Sequence, residues 1–212
     1  MDLSSCSKVI VFGGTFDPPT VAHLDLPKLV MEKVGADAVI YVPTSLSPFK
    51  TDSLPASNQH RLNMLRLVLR DEPWAFVSYI EIANYLGKPV YTIDTLRMLR
   101  KEFNRKLEIR LLIGSDQLLE FDKWKEPEEI VKIAEPLVMI RPPATRGSLL
   151  ANLPKGFDPD EWLERIVMTP ILLEVSSTEI RRRRAEDKPI IGLVSPVVAG
   201  YIYNKGLYRN ET

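Results

Sequence analysis

Two short segments combine glycine, hydroxyl and basic side chains where an apolar run gives way to a helical pattern. The first, residues 13–23, follows the apolar run at 9–12 and includes Thr20 and His23. These two are three residues apart, so on a helix they share a face at its positive end. Outward N–H groups and the close backbone approach that glycine allows make such a place suited to phosphate. The other interpretation is a glycine turn, with Thr20 as a helix cap and His23 as a packing residue.

The second segment, residues 176–181, follows an apolar run at 171–175 and also opens a helical pattern. Its hydroxyl groups and the free N–H groups of a helix start would form another anion site. Arg181 would add a charge-assisted hydrogen bond there. The alternative is an ordinary Ser/Thr cap, with Glu179 stabilising the first turn. The three arginines that follow, 182–184, are expected on a solvated helix face.

Two anion sites on separate helix starts could hold the two ends of one polyphosphate. Lys50 lies after a Ser- and Pro-rich loop at 44–56 and would be a third cation. The apolar pattern elsewhere predicts strands at 38–42, 76–82, 109–113 and 137–140, and helices at 22–34, from Ser57, at 92–103, 127–134, 177–185 and 196–204. Residues 144–168 are expected to be loop-like, with a short helix near 161–165.

This alternation predicts an α/β fold, a Rossmann-like doubly wound, mostly parallel sheet with helices on both faces. We expect a single domain over residues 1–212. In such a sheet, ligands bind at the carboxyl ends of the strands, where the strand order reverses. Both polar segments follow predicted strands, so they are expected to meet at that edge.

Composition excludes several classes of function. Lys plus Arg and Asp plus Glu both number 28, and a net charge of zero argues against a protein that coats nucleic acid by bulk electrostatics. The single cysteine, Cys6, makes no intrachain disulfide. No apolar run approaches the roughly 18 residues of a membrane span, and the first residues lack a secretion signal pattern. The sequence therefore predicts a cytoplasmic protein, with organellar import left open.

The two polar segments also resemble known signatures. Residues 13–23 resemble the Gly-Gly-Thr-Phe-Asp-Pro-Pro-His-x-Gly-His motif of nucleotidylyltransferases, and residues 176–181 their Ser-Ser-Thr-x-Ile-Arg motif. Further stretches are similar to one branch, the bacterial-type nicotinate mononucleotide adenylyltransferases: 42–50, 89–96, 113–116 with Trp124, and 206–208. The resemblance covers nearly the whole chain. It implies transfer of the adenylyl group of ATP to a pyridine mononucleotide, with release of pyrophosphate.

The resemblance also implies roles for individual residues. His23 and Arg181 would stabilise the β- and γ-phosphates, assisted by Thr20 and Lys50. Other contacts to ATP would come from Gly13, Gly14, Thr15, Phe16, Gly114, Asp116, Ser176, Ser177 and Thr178. The mononucleotide would contact Tyr91, Thr92, Lys125 and Arg141, with Trp124 stacking on its ring. Mg²⁺ is expected to travel with ATP, with no metal held tightly by the protein.

Three positions depart from the branch pattern. Thr20 replaces its first His, Ala22 replaces its Gly, and Lys125 follows Trp124 where an aromatic residue is common. A pantetheine-phosphate adenylyl- or cytidylyltransferase is therefore one alternative, and a non-catalytic nucleotide-binding relative is another. The expected partners are ATP and a pyridine mononucleotide, without nucleic acid or membrane. Acid or amide preference and a homo-oligomeric state stay open.

Overall fold

The computed structural model describes residues 3–45, 56–84, 90–103, 107–140, 143–168 and 175–209. Its strands are β1 (Lys8–Gly14), β2 (Ala38–Pro43), β3 (Ala75–Val77), β4 (Glu108–Gly114), β5 (Glu135–Met139) and β6 (Ile166–Val167). Its helices are α1 (Val21–Val34), α2 (Asn58–Leu69), α3 (Ile80–Ala83), α4 (Thr92–Phe103), α5 (Ser115–Leu118), α6 (Pro127–Ile133), α7 (Arg146–Ala151), α8 (Pro159–Arg165), α9 (Ser177–Ala185) and α10 (Pro196–Asn204). None of these helices is long and apolar enough to cross a membrane.

The strands form one parallel sheet in the order β3-β2-β1-β4-β5-β6. The chain moves outward from β1 to β3 and then returns to the other side of β1 with β4. The strand order therefore reverses between β1 and β4, and a crevice forms at their carboxyl ends. The predicted Rossmann-like parallel sheet is confirmed.

Helices cover both faces of this sheet because side chains alternate along each strand. Val9 and Val11 of β1 pack into the cluster that contains the buried leucines of α4. Ile10 and Phe12 point the other way, into the cluster that contains residues of α1 and α2. Both faces of the central strand are therefore buried, which explains its continuous apolar sequence.

A third apolar cluster fixes the last two helices beside α2. Ile180 of α9 and Ile202 of α10 pack there against Met64. The expectation that residues 182–184 lie on a solvated face is wrong for Arg184, which is buried and lies 4.7 Å from the centre of the Tyr203 ring. A cation–π contact with an aromatic from α10 makes that burial tolerable, and no local sequence pattern reports it.

The remaining differences lie in two short regions. The strand predicted at 76–82 covers only Ala75–Val77, and the chain then enters α3. Residues 144–168 hold α7, α8 and β6, more order than predicted. Thr145 and Asp158 cap the two helices, and Trp162 buries α8 against the core. The strand expected at 171–175 lies almost wholly outside the described residues.

Candidate active site

A cavity of about 510 Å³ opens at the carboxyl ends of β1 and β4, where the strand order reverses. One wall comes from the backbone that follows β1, and another from the start of α4 and the segment around Trp124. The predicted site residues that line it are Gly13, Gly14, Thr15, His23, Tyr91, Thr92, Asp116, Trp124 and Lys125. The fold thus brings the predicted phosphate-binding turn and the predicted ring-binding residues into one cavity.

The two glycines after β1 serve different purposes. A Cβ at Gly13 would meet no atom within 4 Å, so this position borders open space in the cavity. A Cβ at Gly14 would lie 3.0 Å from the Phe16 ring, which is closer than ordinary van der Waals contact. Glycine at this position therefore allows the ring to approach the backbone closely. Phe16 is buried at a φ of 49°, and its ring centre is 5.3 Å from that of His23. Phe16 therefore packs against the imidazole in an edge-to-face arrangement and is not among the residues that line the cavity.

Thr20 and His23 form a capping box at the start of α1. The Thr20 hydroxyl oxygen accepts from the backbone N–H of His23 at 3.3 Å. The backbone N–H of Thr20 donates to Nδ1 of the imidazole at 3.0 Å. Because Nδ1 accepts this bond, the ring proton lies on Nε2, which makes that atom a donor. The helix-cap interpretation of the fully buried Thr20 is confirmed, and its contact with phosphate stays a prediction.

The second polar segment packs on the first. Ser176 caps α9, and the Ser177 hydroxyl donates to the Pro18 carbonyl at 2.9 Å. Arg181 donates to the Asp17 carbonyl at 2.8 Å. The start of α9 is therefore joined directly to the turn that leads into α1. Neither these residues nor Thr178 line the cavity, so their contacts with ATP stay predictions.

Asp17 is the centre of this junction. Its buried carboxylate accepts from the Tyr208 hydroxyl at 2.6 Å and from the Ala56 N–H at 3.2 Å, and its other oxygen is 3.9 Å from Arg181. Burial and the charge of Asp17 together raise the pKa of the Tyr208 phenol. The sequence interpretation gave neither Asp17 nor Tyr208 a role.

Arg61 of α2 is a further residue that sequence reasoning missed. Its fully buried guanidinium donates to the carbonyls of Thr15 and Thr44, both at 2.6 Å, and to that of Ala56 at 3.2 Å. Arg61 therefore holds the loops after β1 and β2 together at the cavity. Burial lowers its pKa below the usual value for arginine. Its spacing of four residues from the buried Leu65 was the available sign that it faces inward.

Lys125, at the predicted ring-binding end of the cavity, forms an ion pair. Lys125 Nζ is 2.9 Å from Asp94 and 5.1 Å from the centre of the Tyr91 ring. Asp94 therefore compensates the charge of Lys125, which the sequence left as either a ligand for an acid or a solvated group. Trp124 packs on Phe121, with ring centres 5.1 Å apart.

The remaining predicted residues are placed as follows. Lys50 and Arg141 lie outside the described residues. Gly114 precedes α5, and its N–H donates to Gln117 at 2.9 Å. Within the described ranges, no group of three or more His, Cys, Asp or Glu side chains could hold a metal ion.

The fold and cavity agree with the comparisons to known proteins. Residues 11–183 match the model of the cytidylyltransferase-like family, which defines the class. A relative from Thermomicrobium roseum, named "probable nicotinate-nucleotide adenylyltransferase", is 33% identical over 96% of this chain and 92% of its own length. One from Chromobacterium violaceum, with the same name, is 32% identical over 96% of this chain and 99% of its own. The chain belongs to the nicotinate-nucleotide adenylyltransferase family.

Solved structures show the same fold. The nicotinic acid mononucleotide adenylyltransferase of Plasmodium falciparum, complexed with NaAD, superimposes with a TM-score of 0.71. The two proteins are 21% identical, and the match covers 95% of this chain and 97% of that one. The same Plasmodium protein complexed with APC gives a TM-score of 0.70.

Proposed function

We propose that this protein transfers the adenylyl group of ATP to nicotinate mononucleotide, giving the dinucleotide and pyrophosphate in NAD biosynthesis. One observation carries the proposal: a single cavity joins His23 at the start of α1 to Trp124. One end suits the phosphates of a nucleotide and the other an aromatic ring. The names of the relatives support the same reaction.

The reaction needs positioning more than a base. An oxygen of the mononucleotide phosphate attacks the α-phosphorus of ATP, and the bond from that phosphorus to the bridging oxygen of pyrophosphate breaks. The attacking phosphate is already ionised at neutral pH, because its second pKa is about 6. The protein therefore has to bring two anions together and stabilise charge on the leaving group.

The groups around the first turn can do this. The Nε2–H of His23 would donate to the β- and γ-phosphates, helped by the positive end of the α1 dipole. Arg181 would add charge from α9, with Lys50 and Thr20 assisting. Mg²⁺ would travel with the triphosphate of ATP, as the sequence predicts. Mg²⁺ would neutralise phosphate charge when bound.

The other end of the cavity would select the acceptor. Trp124 would stack on the pyridine ring, and Thr92 at the start of α4 would meet its acid group. Tyr91, Lys125 and Arg141 complete the proposed contacts. A cytoplasmic location and a single domain over residues 1–212 belong to the same proposal.

The test is a pyrophosphate-release assay with ATP and a series of acceptors. We expect release with nicotinate mononucleotide, and the ratio to nicotinamide mononucleotide gives the acid or amide preference. Release with pantetheine phosphate, or with CTP in place of ATP, would identify one of the other transferases. Nucleotide binding without release from any pair would identify a non-catalytic relative and refute the proposal.

A further inference from the structure

A buried carboxyl group lies on the wall of the same cavity. Glu81 of α3 is 5% exposed and lines the cavity together with Tyr91 and Trp124. One of its oxygens accepts from the buried Thr95 hydroxyl at 2.7 Å. The other oxygen, Oε2, is buried without a hydrogen-bond partner in the part of the chain that the structure describes. Buried polar atoms are nearly always paired, so this carboxylate is buried at a cost that a charge in the cavity can offset.

Electrostatics restrict what that partner is. Burial raises the pKa of Glu81, while the hydrogen bonds from Thr95 and the Ser45 backbone and the nearby charge of Arg61 lower it, with a net increase. A positive charge in the cavity beside Glu81 would offset the cost of keeping this carboxylate buried. Phosphate and carboxylate groups would instead be repelled.

Only one part of the proposed substrates carries such a charge. ATP and the mononucleotide are anionic at their phosphates, and the adenine ring is neutral. The pyridine ring of the mononucleotide is a quaternary pyridinium, which is cationic at every pH. This step rests on the proposed function. We propose that Glu81 is the counter-ion of the pyridinium ring and determines specificity for a charged ring.

The experiment uses two acceptors of different ring charge, nicotinate mononucleotide and its neutral 1,4-dihydro form. The dihydro ring is also not aromatic, so each KM of the variant is compared with that of the unaltered protein for the same acceptor. Glu81→Gln keeps an oxygen for Thr95 but removes the charge. We expect this variant to raise the KM for the oxidised acceptor about tenfold, and to change that for the dihydro acceptor less than about twofold. Glu120→Gln is the matched control. Glu120 also lines the cavity, but it is paired with Lys123 at 2.6 Å, so the ratio of the two KM values should be unchanged.

The outcomes separate this inference from the proposed function. An equal rise in both KM values would give Glu81 a structural role and overturn the inference, as would an unchanged KM. Glu81→Gln could instead change the ratio of the KM values for nicotinate and nicotinamide mononucleotide and leave the ratio for the oxidised and dihydro acceptors unchanged. That result would place Glu81 at the acid group and also overturn the inference. Activity of the unaltered protein with nicotinate mononucleotide would leave the proposed function standing in each case. If Glu81→Gln does not fold, the unaltered protein is tested alone. Equal affinity for the oxidised and the dihydro acceptor would then refute the proposal that Glu81 is the counter-ion of the ring.

Discussion

The imidazole of His23 is oriented by the residue that begins its own helix. Thr20 is both the N-cap of α1 and the donor to Nδ1, so a capping box fixes the tautomer. The Phe16 ring packs against the imidazole in an edge-to-face arrangement. The branch pattern has a histidine at position 20, and in this protein a buried threonine performs the capping there. One charged or ionisable group is thereby absent from the start of α1.

Replacing His23 by Ala should lower kcat by about 10²–10³-fold, the usual loss for a donor that stabilises developing charge. The KM for the mononucleotide should change little, because His23 is assigned to the triphosphate. Steady-state kinetics with varied acceptor measure both. The other histidine, His60, contacts the Tyr201 hydroxyl at 2.9 Å and is the control, with kcat expected near that of the unaltered protein. An unaffected kcat in His23→Ala would remove this residue from the mechanism.

At the scale of elements, the cavity depends on loops that a helix holds in place. Arg61 projects from α2 between the loops after β1 and β2 and satisfies a backbone carbonyl in each. The guanidinium fork suits this task because it presents several donors in fixed directions. The start of α4 and the segment after α5 then bring Tyr91 and Trp124 to the opposite side.

Replacing Arg61 by Ala leaves buried carbonyls of both loops without donors. We expect the free energy of unfolding to fall by about 3 kcal/mol, from these unpaired groups together with the lost packing. Urea denaturation measures this. Arg66→Ala, on the same helix but with an exposed contact to Tyr79 at 2.9 Å, should cost less than about 1 kcal/mol. Similar losses in the two variants would show that burial of Arg61 does not matter.

Replacing Trp124 by Ala should raise the KM for the mononucleotide by about tenfold, because a stacked ring contributes about 1–3 kcal/mol. The KM for ATP should stay close to its original value. Trp74→Ala is the control. Trp74 packs near Tyr41 and is not among the residues that line the cavity. An unchanged acceptor KM in Trp124→Ala would refute stacking.

At the scale of the molecule, the end of the chain completes the turn near its beginning. Tyr208 donates to Asp17, which lies 191 positions earlier, and Arg181 donates to the carbonyl of the same residue. The apolar cluster formed by α2, α9 and α10 keeps Arg181 and Tyr208 beside the turn that contains Asp17. The turn between β1 and α1 is therefore held in part by segments near the other end of the described chain.

Tyr208→Phe removes one hydroxyl and leaves the buried Asp17 carboxylate with one donor fewer. The expected loss is about 1.5–3 kcal/mol of unfolding free energy, the range for a hydrogen bond to a charged group. Thermal or urea unfolding would show it. Tyr203→Phe, at a side chain that is 41% exposed, should have almost no effect. Equal effects of the two substitutions would show that the hydrogen bond from Tyr208 to Asp17 does not contribute to the free energy of unfolding as proposed.

The sequence by itself determined the features that depend on residues only a few positions apart. Apolar periodicity predicted the parallel sheet and most helices, and the hydroxyls of Thr20 and Ser176 indicated where α1 and α9 begin. Residue type and spacing selected His23, and the family resemblance selected Thr92 and Trp124; all three line one cavity.

Only the tertiary structure decided the partners of buried polar groups. The sequence did not reveal that Arg61 bonds to Thr15, Glu81 to Thr95 or Tyr208 to Asp17, because these partners lie 46, 14 and 191 positions apart. A buried charge is tolerated only where packing supplies matching donors and acceptors, and this depends on the whole fold. Capping and periodicity are local, so they could be predicted, whereas the pairing of buried charges could not.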